Sequence, residues 1–226
     1  MNDNAERQKH MNTKTADLAR RYLIFLAGLF VASMGVAFSA IAGLGTSPVA
    51  SVPYAVSQVS PLLSLGGWLN VLSVIQIIAQ IIVLKGKCNY AEIAIQTALA
   101  FVYGYLTNFS CWLIREIRVN SYFMQLLYML LGCVILAVGL WIQYKGGVAL
   151  LPAEALNRAI SKATGRKYEN IKIFFDVFYV TVAAVITLVF LGEMKGVREG
   201  SIVAALGVGM IIKALNRLCN RIKKCD

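Results

Sequence analysis

From Tyr22 to Leu84 the chain carries no charged residue, a stretch of 63 positions. About 20 apolar residues are enough to cross the hydrocarbon of a bilayer. The stretch is therefore too long for one helix and must hold two helices and a connection. Glycine and proline break helices most strongly, and here they cluster at Gly43-Leu44-Gly45-Thr46-Ser47-Pro48, Ser60-Pro61 and Gly66-Gly67. The spacing predicts a first helix over about 22–43 and a second over about 66–84. Further apolar runs extend over Ile93 to Ile114, Val119 to Tyr144, Ile173 to Gly192 with Asp176 as its only charge, and Gly200 to Leu218. The last run carries Lys213 and Arg217 in its final turns, where long basic side chains can reach the headgroups. The expected fold is an all-α membrane protein of six transmembrane helices over 22–218, between a basic N-terminal tail at 1–21 and a basic tail at 219–226.

Charge sets the expected orientation. Lys- and Arg-rich loops stay in the cytoplasm during insertion. With six spans and both termini inside, 18 of the 22 basic residues fall on the cytoplasmic side, and only Arg115, Arg118, Lys195 and Arg198 lie outside. Arg20-Arg21 ahead of an apolar run has the form of a twin-arginine export signal. The following segment is longer than a signal core, lacks a cleavage site and precedes five more spans, so these arginines read as the inner flank of the first helix. The formal net charge of +11 is divided among loops and forms no contiguous patch that could track phosphates, so no nucleic-acid partner is expected. The expected surroundings are lipid, with 58% hydrophobic and 15% charged residues.

The five cysteines are scattered, no CxxC pair occurs, and His10 is the one histidine, which argues against a zinc site. No HExxH, Ser/His or phosphate-cradling motif is present. The chain is therefore expected to be neither an enzyme nor a cofactor binder.

The two halves match weakly at an offset of 104 residues. Gly28 and Gly35 fall on Gly132 and Gly139, Gly43 on Gly147, Pro48 on Pro152 and Ser57 on Ser161. After a two-residue insertion, Asn70 falls on Asp176 and Gly86 on Gly192. Three crossings per half would place repeat two, about 119–218, upside down relative to repeat one, about 22–114. After the first and fourth spans, Pro48 and Pro152 each open a short helical stretch, Val49 to Gln58 and Ala153 to Lys162. Thr46 or Ser47 would serve as N-cap with Pro48 at N1. Such a stretch either dips into the membrane, its positive end presented to an anion or carbonyl, or lies at the interface. Glu154 and Arg158, spaced i and i+4, read as a surface salt bridge.

At these residues the chain resembles the YczE/YyaS/YitT family of bacterial multi-pass membrane proteins, closest to its YczE-like branch, over nearly its whole length. Leu44-Gly45-Thr46-Ser47-Pro48 matches the family's Leu-Gly-x-Ser-Pro type motif after helix one, and Gly200-Ser201 with Gly209 approximates the start of a repeat's third helix. Val49 and Ala50 depart from the aromatic and acidic residues usual after that proline, and Gln96-Thr97 leads to Gly104 without the expected glycine, whereas Pro152-Ala153-Glu154 keeps the acid. The resemblance implies a bacterial cytoplasmic membrane and a transport role, without a substrate.

Charged residues inside spans are costly and tend to face a cavity or partner, which singles out Asp176, one helical turn past Lys172. A paired or snorkelling carboxylate is its plainer reading. Asn70, Ser47, Gln96, Glu154 and Asn157 complete the candidate lining of a pathway for a small molecule or ion. Polar residues between helices serve as often for interhelical hydrogen bonds. The expected function is a small-solute transporter or exporter, with Glu154 and Asp176 as coupling carboxylates; the alternative is a non-transporting membrane scaffold or regulator.

Overall fold

A computed structural model of the chain describes residues 3–119, 121–192 and 199–222, with side chains described over 16–119, 121–192 and 207–219. Eight helices form among the described residues: α1 (Asp3–Ala42), α2 (Pro48–Val59), α3 (Leu65–Val83), α4 (Tyr90–Leu113), α5 (Tyr122–Gly146), α6 (Pro152–Thr164), α7 (Tyr168–Leu191) and α8 (Glu199–Ile222). The largest difference in helix bounds from the sequence reading is at α1, which is already helical at Asp3. Residues 3–21 contain no glycine or proline, so nothing interrupts the helix where its apolar stripe stops. Helix α7 likewise begins at Tyr168 rather than Ile173, with Glu169 in its first turn favourably placed on the helix dipole.

Among the described residues, four helices are long and apolar enough to cross a membrane, against the six spans expected from sequence: Ala16–Ala42 of α1, then α3, α5 and α7. Helices α4 and α8 match them in length at 24 residues each. They are more polar, α4 through Glu92, Gln96, Thr97 and Asn108, and α8 through Lys213, Asn216 and Arg217.

The outer surface is unlike that of a water-soluble bundle, and polar groups share the interior with the apolar core. Leu23, Ile82, Phe123, Phe174, Val189 and Phe190 are among the exposed large apolar residues, each more than 60% accessible, while Ser33, Ser39, Thr46, Gln76, Thr107, Gln143 and Thr187 are buried. Most of these interior groups are hydrogen-bonded. Ser33 Oγ lies 2.9 Å from Ser110 Oγ, Ser39 and Thr107 donate to the carbonyls four residues back, and Gln143 Nε2 donates to Gly28 O at 3.3 Å. Apolar side chains outside and satisfied polar groups inside suit lipid as the surrounding solvent. The protein is a multi-pass membrane protein.

Helices α1 and α5 form the centre. A Cβ added at Gly28 would meet the backbone at Gly139 and Gln143, and one at Gly35 would meet the backbone at Gly132 and Leu136. These glycines, seven residues apart on each helix, let the two backbones touch. Around this pair, α4 packs on α1 and α8 on α5; α2 packs on α7 and α3, and α6 on α3 and α7.

The chain leaves α1 through Gly43 (φ +67°) and α5 through Gly147 (φ +59°), left-handed conformations that a side chain would strain. Both exits turn back along the central pair. Ala50 of α2 packs against Ala32, Val36, Leu69 and Leu136, beside the α1–α5 crossing. Val148, Ala149 and Leu151, ahead of α6, pack near Phe25, Leu29 and Leu99.

Candidate functional site

Where these two returning segments approach each other, the helices enclose a cavity of about 190 Å³. One wall is the start of α2, Ser47 to Val49, and another is the start of α6, Leu151 to Glu154. Both helices begin on proline at N1, and neither Ser47 nor Leu151 caps its helix through a side chain. Ser47 thus occupies the N-cap position expected of it but supplies no cap bond. The remaining walls come from Leu69, Leu72, Ser73 and Gln76 of α3, Leu136, Leu140 and Tyr144 of α5, and Lys172 and Asp176 of α7. Ala100 and Tyr103 of α4 and Val208, Gly209 and Ile212 of α8 close it.

Of the six residues singled out from sequence, Ser47, Glu154, Asn157 and Asp176 line this one cavity. Asp176 pairs with Lys172 one turn earlier, Oδ2 to Nζ at 3.0 Å, with side-chain exposures of 19% and 45%. The expected Glu154–Arg158 salt bridge does not form. Glu154 Oε1 instead accepts from the Tyr144 hydroxyl at 2.5 Å, because the α6 N-terminus faces α5 and the cavity. Asn157, one turn past Ala153, is 5% exposed and has no hydrogen-bond partner among the described residues. Gln76, 3% exposed, donates through Nε2 to the Tyr179 hydroxyl at 3.0 Å.

Asn70 and Gln96 lie elsewhere. Asn70 fills the space between α3 and α4, where a Cβ at Gly104 would strike its side-chain amide, and its Oδ1 is buried without a partner. Beside it, Asn108 Oδ1 accepts from the Gly66 amide at 2.8 Å, so this end of the α3–α4 contact is tightly closed. Gln96 lines a second cavity of about 460 Å³ with Gln80, Glu92, Gln143, Arg158 and Lys162. Tyr144 lines both cavities and forms part of the wall between them. Neither its hydroxyl nor its partnership with Glu154 had a signature in sequence, since a tyrosine at the end of an apolar run is commonplace.

Among the described residues, no group of three His, Cys, Asp or Glu side chains could share a metal ion. Chemically, the first cavity offers two helix N-termini, one carboxylate held by a neutral hydroxyl, one internally neutralised ion pair, and the Asn157 amide in an apolar wall. That arrangement suits holding a small polar solute rather than activating a nucleophile. No curated protein and no solved structure matches this chain. Residues 19–217 match the family of unknown function DUF6198, and the chain belongs to that family.

Proposed function

We propose that the protein is a small-solute transporter built from six spans in two inverted three-helix halves, with both termini in the cytoplasm. The observation that carries this reading is the cavity itself, walled by the first turns of α2 and α6, which occupy equivalent places in the two halves. Inverted-repeat transporters place their substrate at the repeat interface, at the ends of interrupted helices.

Three further features support the repeat. Exchanging α1 to α4 with α5 to α8 converts the α2–α7 contact into α6–α3, α1–α4 into α5–α8 and α2–α3 into α6–α7, and each partner contact is present. The glycine pairs behave alike: Gly43 and Gly147 have φ of +67° and +59°, Gly86 and Gly192 of +71° and +67°. At the crossing, Gly28 meets Gly139 and Gly35 meets Gly132, pairings that the same exchange interconverts. The uneven charge of the loops supports the orientation, and the packing of Ala50 beside the α1–α5 crossing supports re-entrant rather than interfacial short helices. The kinship with YczE-like proteins rests on Leu44-Gly45-Thr46-Ser47-Pro48, which forms the segment entering the cavity wall. The reading includes no enzymatic step.

The two halves also differ in a way that suits alternating access. Lys172 and Asp176 border the open cavity, whereas their counterparts Gly66 and Asn70 are packed shut against Gly104 and Asn108. Purified protein in liposomes, screened against a broad solute panel, should show saturable flux that Glu154→Gln or Asp176→Asn reduces. A scaffold would show no flux, would tolerate both changes without phenotype and would co-purify with a partner; that result would displace transport as the reading.

A further inference from the structure

Resting on the transport reading, we infer that the cavity takes a small zwitterion, a carboxylate and a protonated amine on one carbon skeleton the size of a branched apolar amino acid. The carboxylate end is set by α2 and α6. Their N-terminal amides have no side-chain cap, and proline at N1 leaves the amides of Val49 and Ala50, and of Ala153 and Glu154, as the unsatisfied donors. Away from water such donors require a partner, and the positive helix ends favour a negative one. Asn157 independently points to a ligand. It is 5% exposed, borders the cavity and has no protein partner among the described residues.

The amine end follows from charge balance. Lys172 and Asp176 neutralise each other at 3.0 Å. Glu154 has the neutral Tyr144 hydroxyl as its one hydrogen-bond donor among the described residues and makes no ion pair, Arg158 one turn on lining the second cavity instead. A simple anion at the helix ends would meet the Glu154 carboxylate, which already answers the α6 dipole from its first turn, and a simple cation would sit against the uncompensated positive end of α2. A molecule carrying both charges satisfies both. Size and wall chemistry limit the rest: about 190 Å³ slightly exceeds the ~150 Å³ cavity that admits a benzene-sized guest. Leu69, Leu72, Leu136, Leu140, Val208 and Ile212 supply an apolar wall for a short side chain.

The test uses the full-length protein in nanodiscs and equilibrium binding of radiolabelled L-leucine and L-valine. The competitors are 4-methylpentanoate, which keeps only the carboxylate, 3-methylbutylamine, which keeps only the amine, and leucine methyl ester. Saturable amino-acid binding is expected, with each competitor at least about tenfold weaker than unlabelled L-leucine. Glu154→Gln should weaken L-leucine by about tenfold and leave 4-methylpentanoate unchanged or tighter, a retained binding that also shows the variant is folded. Asn157→Ala should weaken both. No saturable binding of either amino acid at millimolar concentration, or equal competition by the single-charge analogues, overturns the zwitterion assignment. If the liposome panel then shows flux of another solute that Asp176→Asn abolishes, the transport reading stands without it; if no solute moves, both fall.

Discussion

Substituting Gly139 by alanine should damage this protein more than its single added carbon suggests. That Cβ would lie 2.7 Å from Ala32 Cα and 2.8 Å from Ala32 Cβ, against the ~3.5–4.0 Å at which carbon pairs rest. Both neighbours belong to the α1 backbone or its first side-chain atom, so no rotamer change relieves the clash and the helices must part by about 1 Å locally. A gap of that size forfeits roughly a quarter to a half of each contact worth about 0.1–0.2 kcal/mol, and over some 40 atom pairs the loss is about 2 kcal/mol. Lipid chains are as apolar as the leucines they would replace, so no hydrophobic term drives the helices back together. The Gln143–Gly28 hydrogen bond at 3.3 Å would stretch as well, adding about 0.6 kcal/mol. The midpoint of SDS-driven unfolding should therefore fall by an amount equivalent to about 2–3 kcal/mol. Gly35→Ala should behave similarly, and the double variant should lose less than the sum because the first separation relieves the second. Gly207→Ala serves as the control: nothing among the described residues lies within 4 Å of its added Cβ, and replacing a helical glycine should stabilise by about 0.5–1 kcal/mol. If Gly139→Ala matches wild type, or moves in the same direction as Gly207→Ala, the close-crossing argument is wrong.

Other outcomes follow from the same geometry. In a cysteine-free background, Lys87→Cys and Arg118→Cys should react with a membrane-impermeant thiol reagent from opposite faces; labelling from the same face would remove α4 as a span. Asp176→Asn should change unfolding by less than about 1 kcal/mol, since Lys172 is 45% exposed and can rehydrate, yet cut solute flux severely. A large stability loss with normal flux would make the pair structural. Ser33→Ala should cost about 0.6 kcal/mol through the lost interhelical Ser33–Ser110 hydrogen bond, since its other bond, donated to Phe30 O at 2.7 Å, is a back-bond within α1 that adds little to the helix; a loss several times larger would refute that apportionment.

The membrane fold was legible because its signals are local and one-dimensional: an uncharged run of 63 residues, prolines at 48 and 152 that open α2 and α6, and glycines at 43 and 147 that close α1 and α5. The candidate site was half legible for a related reason. Ser47, Glu154 and Asn157 are tied to those prolines by sequence, so locating the helix starts located them too. Glu154 nevertheless chose Tyr144 over Arg158, because i,i+4 spacing states who is within reach on one helix and says nothing about what a neighbouring helix presents.

Asn70 shows where a repeat misleads. Its alignment with Asp176 is a correspondence of position in sequence, and under the proposed inverted repeat position does not carry exposure with it when the two halves are packed differently. Asp176 has Lys172 one turn before it, and that side chain, 45% exposed, keeps the end of α7 from closing on a neighbour. Asn70 has Gly66 in the same place, and the missing side chain lets α4 approach until a Cβ at either Gly66 or Gly104 would collide with the other's carbonyl. A lysine facing a cavity and a glycine closing a seam thus make positions that align in sequence behave oppositely. The decisive residue in each case lies four places before the one the repeat draws attention to.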